Sequence, residues 1–212
     1  MMRGVRLSNA QKRRLKAWRS LKEAGDDTRI VVLDVETTGL DLGHDRLISI
    51  GAVAVKGGRI ALGENFSVVI RQKDASSHDN ILVHGITGDA QRRGQPPADA
   101  LLDFLEYLGN SPLAAFHVAF DETMIRRAMK EYLGLSFRHR WLDLAHALPS
   151  LFPESNLRAL DDWVAHFAME VEQRHDALSD ALATAELLLV AMKGGNYDRL
   201  RSIANRRALE YP

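Results

Sequence analysis

The chain contains no cysteine, which excludes disulfides, thiolate zinc sites and a cysteine nucleophile and is compatible with a reducing compartment. An excess of either charge is also lacking. The 28 Lys and Arg balance 28 Asp and Glu, so any polyanionic partner would be held by local basic patches and metals, not by a global field. The longest apolar stretch, Leu187 to Met192, is far too short to span a bilayer. The start, Met1-Met2-Arg3-Gly4-Val5-Arg6, has no apolar segment behind its positive charge. The expectation is a cytoplasmic protein with no membrane partner. Internal repeats and low-complexity tracts are absent too. What is present is 212 residues, 46% of them hydrophobic, enough to bury the core of one domain without cross-links.

Three parts are expected. Residues 1–28 form a basic N-terminal extension in which Asn9 to Ala24 reads as a helix. Leu15, Trp18 and Leu21 make its narrow apolar stripe among Lys12, Arg13, Arg14, Lys16, Arg19 and Lys22. Residues 29–193 carry the main domain, and residues 194–212 a helical tail beginning after Gly194-Gly195. In the main domain, Arg29 to Asp34, Leu47 to Val55 and Glu64 to Ile70 read as strands, with Lys56-Gly57-Gly58-Arg59 as a turn. A polar loop spans Arg71 to Gly94, and Pro96-Pro97 opens a helix through Leu108. Leu113 to Phe116 is a short strand, followed by a helix from about Phe120 to Leu133. Farther on, Asn156 is placed to cap a helix running to about Ala168, and Ser179 to open one reaching Met192. Strands first, then strand and helix in alternation, predict an α/β fold with a mixed sheet flanked by helices.

The strongest chemical signal is Ile30-Val31-Val32-Leu33-Asp34-Val35-Glu36-Thr37-Thr38-Gly39. Its β-branched composition is that of a buried strand, on which Asp34 and Glu36, two apart, share a face. Two carboxylates so placed repel, and a hard divalent cation between them would relieve the repulsion. A second acidic site, Phe120-Asp121, opens a helix just beyond a strand. A third, His175-Asp176-Ala177-Leu178-Ser179-Asp180, crosses a loop-to-helix boundary. Taken singly, Asp121, Asp176 and Asp180 read equally well as helix caps or dipole partners.

In this order the motifs resemble the DEDDh branch of the DEDD 3′-5′ exonuclease superfamily. Asp34-Val35-Glu36-Thr37-Thr38-Gly39-Leu40, His84-Gly85-Ile86-Thr87, Phe120-Asp121 and His175-x-Ala177-x-x-Asp180 occur at the family's spacings between Arg29 and Met192. The branch with tyrosine four residues before the last aspartate is disfavoured, because Asp176 stands there.

The resemblance implies a ribonuclease H-like mixed sheet and removal of nucleoside monophosphates from a nucleic-acid 3′ end, with single-stranded DNA favoured. Two Mg2+ or Mn2+ ions would be held by Asp34, Glu36, Asp121 and Asp180, with Asp34 bridging. His175 would be the general base, a role suited to a side-chain type that titrates near neutrality. Thr37, Thr38, Gly39 and Leu40 would grip the terminal nucleotide, and His84, His117 and Phe120 would border the substrate. A DNA polymerase or another replication or repair protein is the implied partner. Asp143 resembles a further family aspartate that supports the site without ligating. One departure stands out: where many relatives have Asn before the second aspartate, this chain has His117. The alternatives are an RNA-directed enzyme of the same fold, and a non-catalytic nucleic-acid-binding or polymerase-associated module.

Overall fold

The computed structural model describes residues 5–21, 29–171 and 174–193. The expected boundary at Gly25-Asp26-Asp27, the Gly194-Gly195 stop and the basic stretch Tyr197 to Arg207 lie outside the described residues.

Five strands form one sheet in the order β3-β2-β1-β4-β5. β1 (Arg29–Thr37) pairs antiparallel with β2 (Leu47–Lys56), which pairs antiparallel with β3 (Arg59–Val69). On its other edge β1 runs parallel to β4 (Leu113–Ala115), and β4 parallel to β5 (Trp141–Asp143). This is the mixed α/β sheet that the sequence predicts. Gly57 and Gly58, at φ 53° and 72°, supply the two positive-φ residues of a tight β2–β3 hairpin turn. With so short a turn, β3 begins at Arg59, five residues before the expected start.

β1 is central and buried on both faces. Val31, Leu33 and Val35 join a core made largely by α4 (Pro97–Leu108) and α5 (Val118–Leu133). Val32 faces a second core containing residues of α6 (Leu144–Leu151), Trp163 of α7 (Leu160–His166) and Leu187 and Leu188 of α8 (Ala177–Met192). By the period of two, Asp34 and Glu36 lie on the same side of the sheet as Val32 and α8.

Several helices differ from the sequence expectation. The polar segment after β3 holds two short helices, α2 (His78–His84) and α3 (Gly88–Arg93), capped by the Ser77 and Thr87 hydroxyls. Asn156 caps nothing; α7 starts at Leu160, where the Asp162 carboxylate accepts the Ala159 N–H at 3.0 Å. Ser179 does not open α8 either. Asp176 does, accepting the Ser179 N–H at 2.9 Å.

The N-terminal helix α1 (Asn9–Leu21) packs on α4 through Leu15 and Trp18, whereas Leu21 is 51% exposed. Arg14 pairs with Glu106 and Asp103, Gln11 donates to Asp99 at 2.7 Å, and the Trp18 indole N–H reaches the Gly109 carbonyl at 2.9 Å. This basic helix is thus docked on the face of the sheet opposite α8.

Candidate active site

The site forms where β1 meets the start of α8. In the β1–β2 register, Asp34 lies opposite Gly51, a glycine inside a strand that is buried from Leu47 to Val55. A Cβ at Gly51 would overlap the Ala177–Leu178 peptide, so the first turn of α8 rests directly on the β2 backbone. That approach carries Asp180 to the Asp34 and Glu36 side chains. One carboxylate oxygen of each of the three lies within 4.8 Å of the others.

Asp121, in the first turn of α5, is buried next to Asp34. Burial above all, then the charges of Asp34 and Asp143, hold its carboxyl well above the usual range. Asp34 is pushed up to about 7 by burial, against the pull of Arg174. Glu36 reaches about 8 through burial and the charges of Asp34 and Asp176, again opposed by Arg174. A crowding of carboxyls only partly offset by Arg174 is what a divalent cation relieves. Oxygens bound to one Mg2+ at about 2.1 Å sit no more than about 4.2 Å apart, so the observed spread closes on a divalent ion with small side-chain movements. The residues fit a hard metal.

His175 occupies the loop before α8, exposed and with φ 59°, a left-handed conformation that histidine tolerates better than most side chains. Its backbone N–H donates to Asp180 Oδ2 at 3.1 Å, so the expected base and the expected last ligand are tied to one another. His117 also has positive φ, 66°, at the start of α5, and is exposed with its ring edge-on to Phe116. Phe120 is partly buried against the core.

The loop after the acidic pair is built by hydrogen bonds. Thr37 Oγ1 donates to the Gly39 carbonyl at 2.6 Å, and Thr38 Oγ1 to Asp45 at 2.7 Å. Gly39 does not have positive φ, so conformational freedom is not its role. A Cβ there would come within 2.5 Å of an Asp45 carboxylate oxygen. Arg127 of α5 clamps the far side of the loop through the Leu42, Gly43 and Asp45 carbonyls. Asn80 of α2 donates to the Thr37 carbonyl at 2.7 Å. The result is a fixed rim from which Leu40 projects, 85% exposed.

His84 points inward. It is 3% exposed, its Nδ1 accepts the Ile86 N–H at 2.9 Å, and its Nε2 lies 3.3 Å from Ser76 Oγ. The imidazole holds the turn after α2, and any service to substrate comes through that turn. Asp143 is likewise internal, accepting the Ala145 N–H at 3.0 Å and lying 3.2 Å from His146.

Sequence reasoning missed Asp45, Asn80, Arg127, Gly51 and Arg174. Only Gly51 left a usable signal, as a glycine interrupting a buried strand.

The family model described as exonuclease matches residues 31–188, which takes in all four acidic positions and His175. The chain belongs to the exonuclease family, and with it to the class of 3′-5′ exonucleases that its acidic motifs resemble. Among its relatives are the PolC-type DNA polymerase III of Clostridium perfringens, 33% identical over 81% of this chain but only 12% of that protein, and the DNA polymerase III subunit epsilon of Aquifex aeolicus, 32% identical over 77% of this chain and 80% of the subunit. The chain therefore spans a small part of the PolC-type proteins. Solved structures of E. coli exonuclease I share the fold. Its complex with a dT13 oligonucleotide has a TM-score of 0.69 at 17% identity, covering 83% of this chain and 43% of that one; a zinc-bound complex with single-stranded DNA has 0.70 at 20% identity, covering 84% and 43%. Among the described residues no helix is long and apolar enough to cross a membrane.

Proposed function

We propose that the chain hydrolyses the terminal phosphodiester at the 3′ end of single-stranded DNA and releases nucleoside monophosphates. The observation that carries this is the convergence of Asp34, Glu36 and Asp180 within 4.8 Å, with His175 fastened to Asp180, in a chain of the exonuclease family. Asp34, Glu36 and Asp180 would hold one Mg2+ or Mn2+, and Asp121, beside Asp34, would help to hold a second. When bound, such ions supply charge neutralisation on the phosphate and acidify the attacking water.

The remaining work falls to the chain itself. His175, exposed beside the carboxylates, accepts the proton of the attacking water at an imidazole nitrogen. The backbone of Thr37 to Gly39, fixed by Asp45, Arg127 and Asn80, meets the terminal sugar, and Leu40 packs on the last base. His117 and Phe120 border the strand behind it. Polarity from the 3′ end follows if this rim admits only a chain terminus. Association with a replicative polymerase extends the proposal, in keeping with the names of the relatives.

The test is digestion of matched 3′-labelled single-stranded DNA, duplex DNA and short RNA with Mg2+ or Mn2+. Labelled mononucleotide should appear from the outset with single-stranded DNA, and EDTA should stop it. Prior release of 5′ label, undiminished cleavage in EDTA, or preference for RNA would overturn the corresponding part. Turnover unchanged in Asp34→Ala would remove the site assignment altogether.

A further inference from the structure

A cation already sits on the carboxylate cluster, and the chain supplies it. Arg174 Nη1 is hydrogen-bonded to Asp180 Oδ1, while Asp180 Oδ2 accepts the His175 N–H. Both oxygens of this carboxylate are therefore engaged, and a metal drawing on Asp180 competes with these donors for its lone pairs. The guanidinium is the displaceable one, because its side chain is 28% exposed and it has a second anchor. Its Nε pairs with Asp161 on α7. Its charge also acts on Asp34 and Glu36, where it opposes the effect of burial.

Arginine stays protonated at every accessible pH and offers donors in a rigid fork. It can compensate three converging carboxylates without closing on all of them, as a spherical ion bound at about 2.1 Å would. We propose that Arg174 is a built-in stand-in for the divalent cation: it partly offsets the charge of the Asp34, Glu36 and Asp180 cluster until metal arrives, then gives up Asp180 and remains at the rim, held by Asp161. This rests on the metal role proposed above. Two consequences follow. The cluster and the start of α8 stay assembled without metal, and metal affinity is lower than the carboxylates alone would give.

The test is Mg2+ titration by calorimetry of the full chain at one fixed alkaline pH, with Arg174→Met, Arg174→Gln and the exposed control Arg158→Gln. Both Arg174 variants should bind Mg2+ about five- to tenfold more tightly than the parent, the order expected when one charge-assisted hydrogen bond no longer has to be displaced. Arg158→Gln should change affinity by less than about twofold, as expected of a screened surface charge. In EDTA the Arg174 variants should melt below the parent, and saturating Mg2+ should erase the difference. Unchanged or weaker Mg2+ binding, a melting difference that persists in Mg2+, or an equal gain in Arg158→Gln would overturn the stand-in role. Failure of every protein to bind Mg2+ would overturn the metal site itself.

Discussion

Glu36 offers a quantitative test of the site that needs no substrate. Burial, reinforced by Asp34 and Asp176, raises its carboxyl from 4.5 to about 8. At about 1.4 kcal/mol per pH unit this sets a ceiling of roughly 5 kcal/mol, and partial solvent access brings the working figure to about 2–3 kcal/mol. The folded protein keeps the proton that the unfolded chain releases near pH 4.5. The stability so gained is complete below that pH and is lost as pH rises towards 8. Asp34, pushed up to about 7, acts in the same direction. In EDTA, the free energy of urea unfolding should therefore fall between about pH 5 and pH 8, and the isosteric Glu36→Gln should fall by about 2 kcal/mol less, isolating this group from other titrations. Saturating Mg2+ should flatten the difference, since the metal takes the proton's place, and its binding near pH 7 should release protons measurable in buffers of different ionisation enthalpy. Parallel pH profiles for parent and Glu36→Gln in EDTA would refute the buried carboxylate with a raised pKa.

His175→Asn, chosen because asparagine tolerates the left-handed backbone at this position, should reduce the single-turnover rate by roughly 10²–10⁴-fold with the melting temperature nearly unchanged; parental turnover would place the base elsewhere. Gly51→Ala should destabilise by about 1–3 kcal/mol, as overpacking does, and should cut turnover by about 10²-fold or more by pushing Asp180 away from Asp34, so a stable and fully active Gly51→Ala would contradict the backbone contact. Trp18→Ala should cost about 3–5 kcal/mol in denaturant unfolding, given its buried ring and its bond to Gly109, while the salt dependence of strand binding stays as in the parent, because α1 lies across the sheet from the carboxylates. A flattened salt slope would instead mark the helix as a nucleic-acid contact.

What could be read beforehand was whatever depends on local pattern. The β-branched run of β1 placed Asp34 and Glu36 on one face, and the spacing from His175 to Asp180 survived intact because it lies within a single loop-to-helix junction. Features created by distant segments meeting were not legible. Arg174 matters only because α7 and the start of α8 bring Asp161 and Asp180 to either side of it, and Gly39 only because Asp45 folds back against it. α2 and α3 escaped notice because helices of seven and six residues are too short for a helical period to stand out. His84, singled out beside a glycine, proves to be internal; no spacing rule distinguishes a histidine that holds a turn from one that faces a ligand.

The contact at Gly51 has a wider consequence. Most helices ride on a sheet over a layer of side chains, whose volumes set the spacing and change it when those positions mutate. Here the start of α8 touches the strand main chain to main chain, so the spacing between the carboxylates is gauged by the polypeptide itself. Repacking around Leu187 and Leu188 farther along α8 can tilt the helix about this fulcrum but cannot press its first turn closer to the strand. The closest approach of the carboxylates is therefore set by the backbone and not by the size of the side chains around it.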